Sequence, residues 1–289
     1  MPGNAIIVFC VAAVIIVLLK VLTAWGNKAL ELTVYRINGR TIPKAFDGFR
    51  IAQVSDLHNA EMGKDNEKLI SMLRRTKPDI IVITGDMIYC RDQKTEAALG
   101  FAEKAVNIAP CYYVTGNHEA RVGKYSEFRD GLLGVGVNVL ENAETQIDIG
   151  GEKITVIGVN DPLFRTEGLS GNSEAVMNDR LSNIIGGKEE YTVLLSHRPE
   201  LFKTYVKNNV DLVFSGHAHG GQIIIPFIGG LAAPNQGLFP KYYKGIYTEG
   251  NTAMVVSRGI GKSIFPFRIN NRPEVVLVEL CSDSALTEQ

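Results

Sequence analysis

Five apolar runs in this chain end alike, and that repetition constrains the fold more than any other feature. IAQVSDLH at 51–58, IIVITGD at 80–86, CYYVTGNH at 111–118, TVLLSH at 192–197 and DLVFSGHAH at 211–219 each pass from aliphatic and β-branched residues into small and polar ones. Short apolar runs closed by such residues predict buried strands. Between them, DNEKLISMLRRTK, TEAALGFAEKAV, EFRDGLLGVG, NSEAVMNDRLSNII and PELFKTYVK read as helices. Strands alternating with helices predict an α/β fold. In open α/β sheets, ligands bind in the crevice beyond the carboxyl ends of the strands. Five polar clusters at five strand ends therefore predict one shared site.

The histidines sharpen that expectation. The chain has five, His58, His118, His197, His217 and His219, and all lie in these clusters. Core or surface histidines would scatter along the chain. In SGHAHGGQ, 215–222, residues i and i+2 of an extended segment share a face, so His217 and His219 project together while the glycines let the backbone turn. Asp56, Asp86 and Asn117 occupy matching places. Nitrogen and oxygen donors without cysteine suit a pair of hard-to-borderline divalent metals, not an iron–sulfur cluster or a cysteine-based structural zinc.

Charge and cysteine content exclude other classes. Thirty basic against 31 acidic residues leave a net charge of −1, with no long basic run. That balance argues against a nucleic-acid partner. Cys10, Cys90, Cys111 and Cys281 have no CxxC spacing, which argues against a disulfide framework.

Residues 5–25, AIIVFCVAAVIIVLLKVLTAW, carry one charge, Lys20, near the end, and Trp25 as an interfacial anchor. They predict a single transmembrane helix. A cleaved signal peptide is the rival; against it, no Lys or Arg precedes Ala5 and the apolar stretch exceeds a typical signal core. Lys20, Lys28, Arg36, Arg40, Lys44 and Arg50 all follow the start of the segment, so the positive-inside rule places the main domain in the cytoplasm. The expected organisation is an anchor over 1–27, a connector with an edge strand over 28–44, and one domain over 45–289.

The cluster wording D-x-H, G-D, G-N-H-E, a lone H and G-H-x-H, in that order, resembles the calcineurin-like metallophosphoesterase superfamily over roughly residues 48–281. GHAHGGQ, GLFPKYYKGIY, VSRGIG and NNRPEVVLVEL narrow the resemblance to its membrane-associated bacterial YkuE/YaeI-like branch. The resemblance implies a four-layer α/β/β/α sandwich of two facing mixed sheets flanked by helices, here preceded by the transmembrane helix. It implies two divalent metal ions, Mn²⁺, Zn²⁺ or Fe²⁺: Asp56, His58 and His219 on one, Asn117, His197 and His217 on the other, and Asp86 between them. The implied reaction is hydrolysis of a phosphomonoester or phosphodiester by a metal-bridging hydroxide, with His118 protonating the leaving oxygen; the alternative is that His118 is a further ligand. Glu119 would orient a nearby histidine, and Arg258, Arg268 and Arg272 are candidate phosphate contacts. Asn160 departs from the acidic residue expected in that branch. A pyrophosphatase of a nucleotide-linked lipid would use the same metal core, and a binding module of the same fold would lack part of it.

Three stretches remain. The run 223–240, IIIPFIGGLAAPNQGLFP, with IFPF at 264–267, reads either as sheet core, the simpler reading, or as a surface meeting lipid or an acylated cell-envelope substrate. ETQIDIGGEKITVIGV reads as a hairpin turning at Gly150–Gly151. LTVYRING at 32–39 reads as an edge strand. No protein partner is indicated.

Overall fold

The computed structural model describes residues 9–11, 13, 14, 17, 26–92, 94–164, 172–187, 190–262 and 267–283. In chain order the strands are β1 (Glu31–Gly39), β2 (Arg50–Val54), β3 (Ile80–Thr84), β4 (Cys111–Val114), β5 (Asn138–Val139), β6 (Ala143–Ile149), β7 (Glu152–Gly158), β8 (Tyr191–Leu195), β9 (Leu212–Ser215), β10 (Ile224–Ile225), β11 (Gly229–Gly230), β12 (Ala232–Ala233), β13 (Gly237–Leu238), β14 (Gly245–Glu249), β15 (Thr252–Val256) and β16 (Glu274–Ser282). The helices are α1 (Glu67–Thr76), α2 (Glu96–Ala105), α3 (Tyr125–Gly134), α4 (Ser173–Ile185) and α5 (Phe202–Lys207).

Two six-stranded mixed sheets form the body, in the orders β1-β16-β2-β3-β4-β5 and β14-β15-β9-β8-β7-β6. One apolar seam joins them, where Ile51, Val82 and Val114 of the first sheet pack with Val156, Leu195 and Phe214 of the second. The outer face of the first sheet packs on Leu69, Phe101 and Phe128 of α1, α2 and α3, and that of the second on Met177 and Leu181 of α4 and Phe202 and Tyr205 of α5. Covered on both faces, β3, β8 and β15 are buried along their whole lengths. This is why their sequences are continuous apolar runs rather than alternating ones. Each fully buried Val, Leu or Ile contributes about 1.5–3 kcal/mol through removal from water.

Within each sheet the strands that carry the histidine clusters run parallel: β2, β3 and β4 in one, β8 and β9 in the other. Their carboxyl ends are tied across the seam. Gln53 Nε2 donates to the Ser215 carbonyl at 2.9 Å, and His197 Nδ1 lies 2.7 Å from the Thr84 carbonyl. The hairpin at 143–158 forms as β6 and β7, with Gly150 and Gly151 at φ 62° and 92°. A two-residue turn with both central residues left-handed matches the twist of the flanking strands. β1 pairs with β16 alone, at the sheet edge.

Two expectations need correction. The fold carries no N-terminal transmembrane helix in its described part: among the described residues, no helix is long and apolar enough to cross a membrane. Within 5–25 only 9–11, 13, 14 and 17 are described, as helical residues, against the ~20 consecutive residues a span requires. The rest of that expectation lies outside the described residues. The run 223–240 is not sheet core either. It forms the two-residue strands β10 to β13 in two small hairpins apart from both large sheets. Pro226, Pro234 and Pro240 and the pair Gly229–Gly230 keep any strand there short. Of IFPF, residues 264–266 lie outside the described residues, and Phe267 is exposed.

Candidate metal centre

The site is assembled from the turns that leave the parallel strands. Asp56 and His58 follow β2, Asp86 follows β3, Asn117 and His118 follow β4, His197 follows β8, and His217 and His219 follow β9. Five of these sit in the left-handed backbone region: Asp56 at φ 52°, His58 at 46°, Asp86 at 53°, His217 at 63° and His219 at 47°. Non-glycine residues seldom adopt that region, and it is occupied where surrounding structure over-determines the backbone, often at functional sites. The strand ends turn sharply enough to aim five side chains at one point.

Close approach explains two glycines. A Cβ on Gly216 would collide with Ser55 Oγ and the Asp56 carboxylate, and one on Gly116 with the Asp86 carboxylate. Backbone from each sheet thus presses directly on a carboxylate from β2 or β3.

The donor atoms converge in two groups that share Asp86. In one, His219 Nε2 lies 3.3 Å from Asp56 Oδ1, and His58 Nε2 lies 3.9 Å from it and 3.2 Å from His219 Nε2. In the other, His197 Nε2 is 3.1 Å from Asp86 Oδ2 and 3.2 Å from His217 Nδ1. Asp86 Oδ2 is also 3.7 Å from His58 Nε2 and 4.0 Å from His118 Nε2. Its other oxygen, Oδ1, accepts the His118 backbone N–H at 2.7 Å. Asn117 Oδ1 is buried without a partner.

These atoms fit divalent metal ions. Two imidazole nitrogens 3.2 Å apart share either the N–H of one ring or a cation. Burial pushes His58 down to about 3 and His219 well below its ordinary value, so both rings are neutral and each can offer a nitrogen lone pair to a cation. In the second, burial pulls His197 down, but Asp86 and Asp56 outweigh it and raise it to about 10; burial also raises Asp86, but His197, His58 and His118 hold it well below the carboxylate range. A positive charge belongs there. Burial raises Asp56 to about 6. In the second group the outward nitrogens are fixed as a metal ligand requires, while Nδ1 of His58 and of His219 is buried without a partner. His197 Nδ1–H is directed at the Thr84 carbonyl, and His217 Nε2 lies 2.9 Å from Asn235 Oδ1.

A cavity of about 260 Å³ opens on the site, with Asp86, Asn117, His118, His217 and His219 in its wall. Its two guanidinium groups are Arg121 and Arg198. Arg198 is locked by Asp161, Nε to Oδ2 at 2.5 Å and Nη2 to Oδ1 at 3.0 Å, and by Asn235 Oδ1 at 2.9 Å. One carbonyl oxygen of Asn235 therefore ties Arg198 to His217. Neither Arg258, Arg268 nor Arg272 lines the cavity. Arg258 pairs with Glu274 and Glu31, and Arg268 donates to the carbonyls of Arg258 and Gly261. Arg272 is exposed.

Glu119 takes a different part from the one its sequence position suggests. Its carboxylate accepts the backbone N–H groups of Asp86 (2.9 Å), Gly116 (2.8 Å) and Ile88 (3.2 Å), pinning the β3 and β4 turns together. Burial and neighbouring Asp86 raise it to about 8. Asn160 accepts from Thr115, and the next residue, Asp161, supplies the carboxylate for Arg198.

Asn235 offers a test of how the second group is oriented. Asn235→Leu removes the acceptor for His217, and metal affinity is expected to fall about 10–100-fold, the usual effect of losing an outer hydrogen bond to a metal-ligating histidine. Competition with a chelating dye measures it. Affinity equal to the unaltered protein would show that the hydrogen bond does not orient the ring.

The family model described as calcineurin-like phosphoesterase matches residues 49–221. The chain is 30% identical over 258 residues to the Bacillus subtilis (strain 168) protein called uncharacterized metallophosphoesterase YkuE, covering 88% of this chain and 86% of that one. It is 27% identical over 237 residues to phosphodiesterase YaeI of Escherichia coli (strain K12), covering 80% and 82%. It is 26% identical over 254 residues to a Danio rerio protein named transmembrane protein with metallophosphoesterase domain, covering 83% of this chain and 54% of that protein, so it spans about half the length of that relative.

Proposed function

The chain belongs to the calcineurin-like phosphoesterase family of metal-dependent phosphoester hydrolases, and from that premise we propose that it hydrolyses a phosphomonoester or phosphodiester at a dinuclear metal centre, with His118 assisting the leaving group. The observation that carries this reading is the position of Asp86 Oδ2, within 4.0 Å of imidazole nitrogens from His58, His118 and His197.

Asp56, His58 and His219 would hold one ion, Asn117, His197 and His217 the other, and Asp86 both. Bound divalent ions supply a water acidified for attack and neutralise charge on the phosphoryl oxygens. The remaining work falls to the chain. Thr84 and Asn235 orient the rings of His197 and His217. Arg198, held rigid by Asp161, and Arg121 place positive charge along the wall where phosphoryl oxygens would sit. His118 Nδ1 accepts the Cys90 N–H at 3.2 Å, which leaves the ring proton on Nε2, the nitrogen that faces Asp86 and the site. In the imidazolium form Nδ1 also carries a proton and gives up the Cys90 contact, and the Nε2 proton then passes to the ester oxygen as the phosphorus–oxygen bond breaks, leaving the neutral ring.

Metal removal tests the reading. The full chain, stripped with a chelator and dialysed, is expected to lose hydrolysis of both p-nitrophenyl phosphate and bis(p-nitrophenyl) phosphate. Mn²⁺, Zn²⁺ or Fe²⁺ added singly should restore at least one of the two activities. Hydrolysis undiminished in a preparation shown by elemental analysis to be metal-free would overturn it.

A further inference from the structure

The hairpins beside the metal centre form a platform with an unusual surface. Residues 220–248 contain Lys241 and Lys244 and no carboxylate, and residues 258–273 contain Arg258, Lys262, Arg268 and Arg272, again with no carboxylate. Arg258 is buried and paired with Glu274 and Glu31, and Arg268 is buried, so the exposed positive charges of the two stretches are Lys241, Lys244, Lys262 and Arg272. Ile224 N–H to the Ile269 carbonyl at 3.0 Å and Asn270 Nδ2 to the Ile224 carbonyl at 3.3 Å join the two stretches, while Leu231 N–H to Ile223 at 2.8 Å and Phe239 N–H to Leu231 at 2.9 Å tie the first stretch together. Phe227 projects from this platform fully exposed, and Ile228, Leu238, Phe239 and Phe267 are each more than half exposed. Phe227 and Phe239 also hold left-handed backbone, at φ 66° and 53°, which bulky residues rarely adopt. Folding alone gives no reason to hold two aromatic rings in water on an unfavourable backbone.

Two connections say what meets this face. The first is to the site: Pro234 and Asn235 line the cavity, and Asn271 Nδ2 donates to the His219 and Gln222 carbonyls. The platform and the cavity mouth are one piece. The second is to the amino-terminal sequence, because Arg268 N–H donates to Asn27 Oδ1 at 3.1 Å. Gly26 and Asn27, which follow the apolar run 5–25 in the sequence, thus lie against Arg268. Apolar tips on stretches that also carry the exposed Lys241, Lys244 and Lys262 match an anionic phospholipid surface, in which rings enter the acyl boundary and ammonium groups meet the headgroups. The cavity agrees. At about 260 Å³ it lies below the ~300–1,000 Å³ of sites that enclose a whole drug-sized ligand, so it can take a phosphoryl group while the rest of a larger substrate stays outside.

We propose that this platform is a lipid-docking surface that seats on an anionic phospholipid layer and presents the cavity to phosphate esters carried by amphiphiles. Docking stands on the surface alone. The substrate class rests on the hydrolase reading above.

The test uses the full chain with Cys10, Cys90 and Cys281 replaced by serine and Ile228→Cys carrying a nitrobenzoxadiazole fluorophore. Phosphatidylglycerol vesicles are expected to shift its emission to the blue and raise it severalfold, and pure phosphatidylcholine vesicles to do so less. The same fluorophore at Lys153→Cys, at the amino end of β7 and away from the site, should not respond. A silent probe at 228, or equal responses at 228 and 153, overturns docking. Turnover then tests the substrate class. Phe227→Ser combined with Phe239→Ser is expected to lower hydrolysis of vesicle-borne p-nitrophenyl hexadecyl phosphate at least tenfold while leaving water-soluble p-nitrophenyl ethyl phosphate within twofold; equal losses on both overturn the amphiphile assignment. A probe that enters lipid in a protein that hydrolyses neither ester keeps the docking surface and removes the hydrolase reading.

Discussion

Asp86→Ala is expected to leave fewer than two divalent ions on the dialysed protein and to lower phosphoester hydrolysis by on the order of 10³-fold or more, the scale of losing a central electrostatic element of an active site. Asp86 stands between the two groups of donors, with Oδ2 3.1 Å from His197 and 3.7 Å from His58, whereas Asp56 lies with the first group and is 4.0 Å from His197. Its removal leaves those buried imidazoles no shared negative charge to hold two cations close together. A second effect accompanies the first, because Oδ1 accepts the His118 N–H. Asp86→Asn separates the two. The amide oxygen can keep that hydrogen bond while the charge is gone, so a loss shared by Ala and Asn belongs to the carboxylate's charge. A loss confined to Ala belongs to the turn. Elemental analysis after exhaustive dialysis, with circular dichroism to establish folding, gives the measurement. Two ions retained by folded Asp86→Ala would remove Asp86 as the bridge.

The parts of this site that could be read in advance are those set by chain periodicity. A buried parallel strand must be apolar throughout, so IIVIT and TVLLS announce themselves, and whatever polar residues follow must lie at a carboxyl strand end. Asp86 and His197 come directly from that rule. Asn235 could not, because its place beside His217 depends on a hairpin whose short strands, Ala232–Ala233 and Gly237–Leu238, have no periodicity of their own. Arg198 carried a weaker signal, since it directly follows a histidine that the strand rule places in the site. The left-handed backbone of five site residues was also hidden: glycine advertises such geometry, whereas Asp and His do not. Arg258 and Arg268 show the reverse error. Both stand in short polar motifs near the site, yet tertiary folding gives their guanidinium groups to Glu274 and to backbone carbonyls. The 223–240 run misleads because hydrophobicity alone does not distinguish a core strand from an exposed platform; its prolines and paired glycines carry the distinction.

His118 is where the proton-donor role and metal ligation part company. His118 shares a cluster of ligand-capable atoms with His58 and Asp86. Its Nε2, however, is 4.0 Å from Asp86 Oδ2, and the ring stacks on Tyr89 with centroids 5.1 Å apart. The Cys90 N–H points at Nδ1, so Nε2 is the nitrogen that faces a departing oxygen, and the proton it gives comes from the imidazolium, in which Nδ1 is protonated and the Cys90 contact released. Asparagine at this position can keep an acceptor for Cys90 while removing that proton. His118→Asn is therefore expected to retain its metal content and to lose about 10²–10⁴-fold in rate on alkyl phosphate esters, the usual range for a general acid. Aryl esters with stable phenolate leaving groups should lose far less, because such an oxygen can depart unprotonated. The measurement is a leaving-group series with metal content determined in parallel, under conditions where bond cleavage limits turnover. Equal losses across the series with metals intact would assign His118 to phosphoryl-oxygen stabilisation instead. Loss of one ion would make it a metal ligand, and the steep dependence on leaving group expected for a missing proton donor would then be absent.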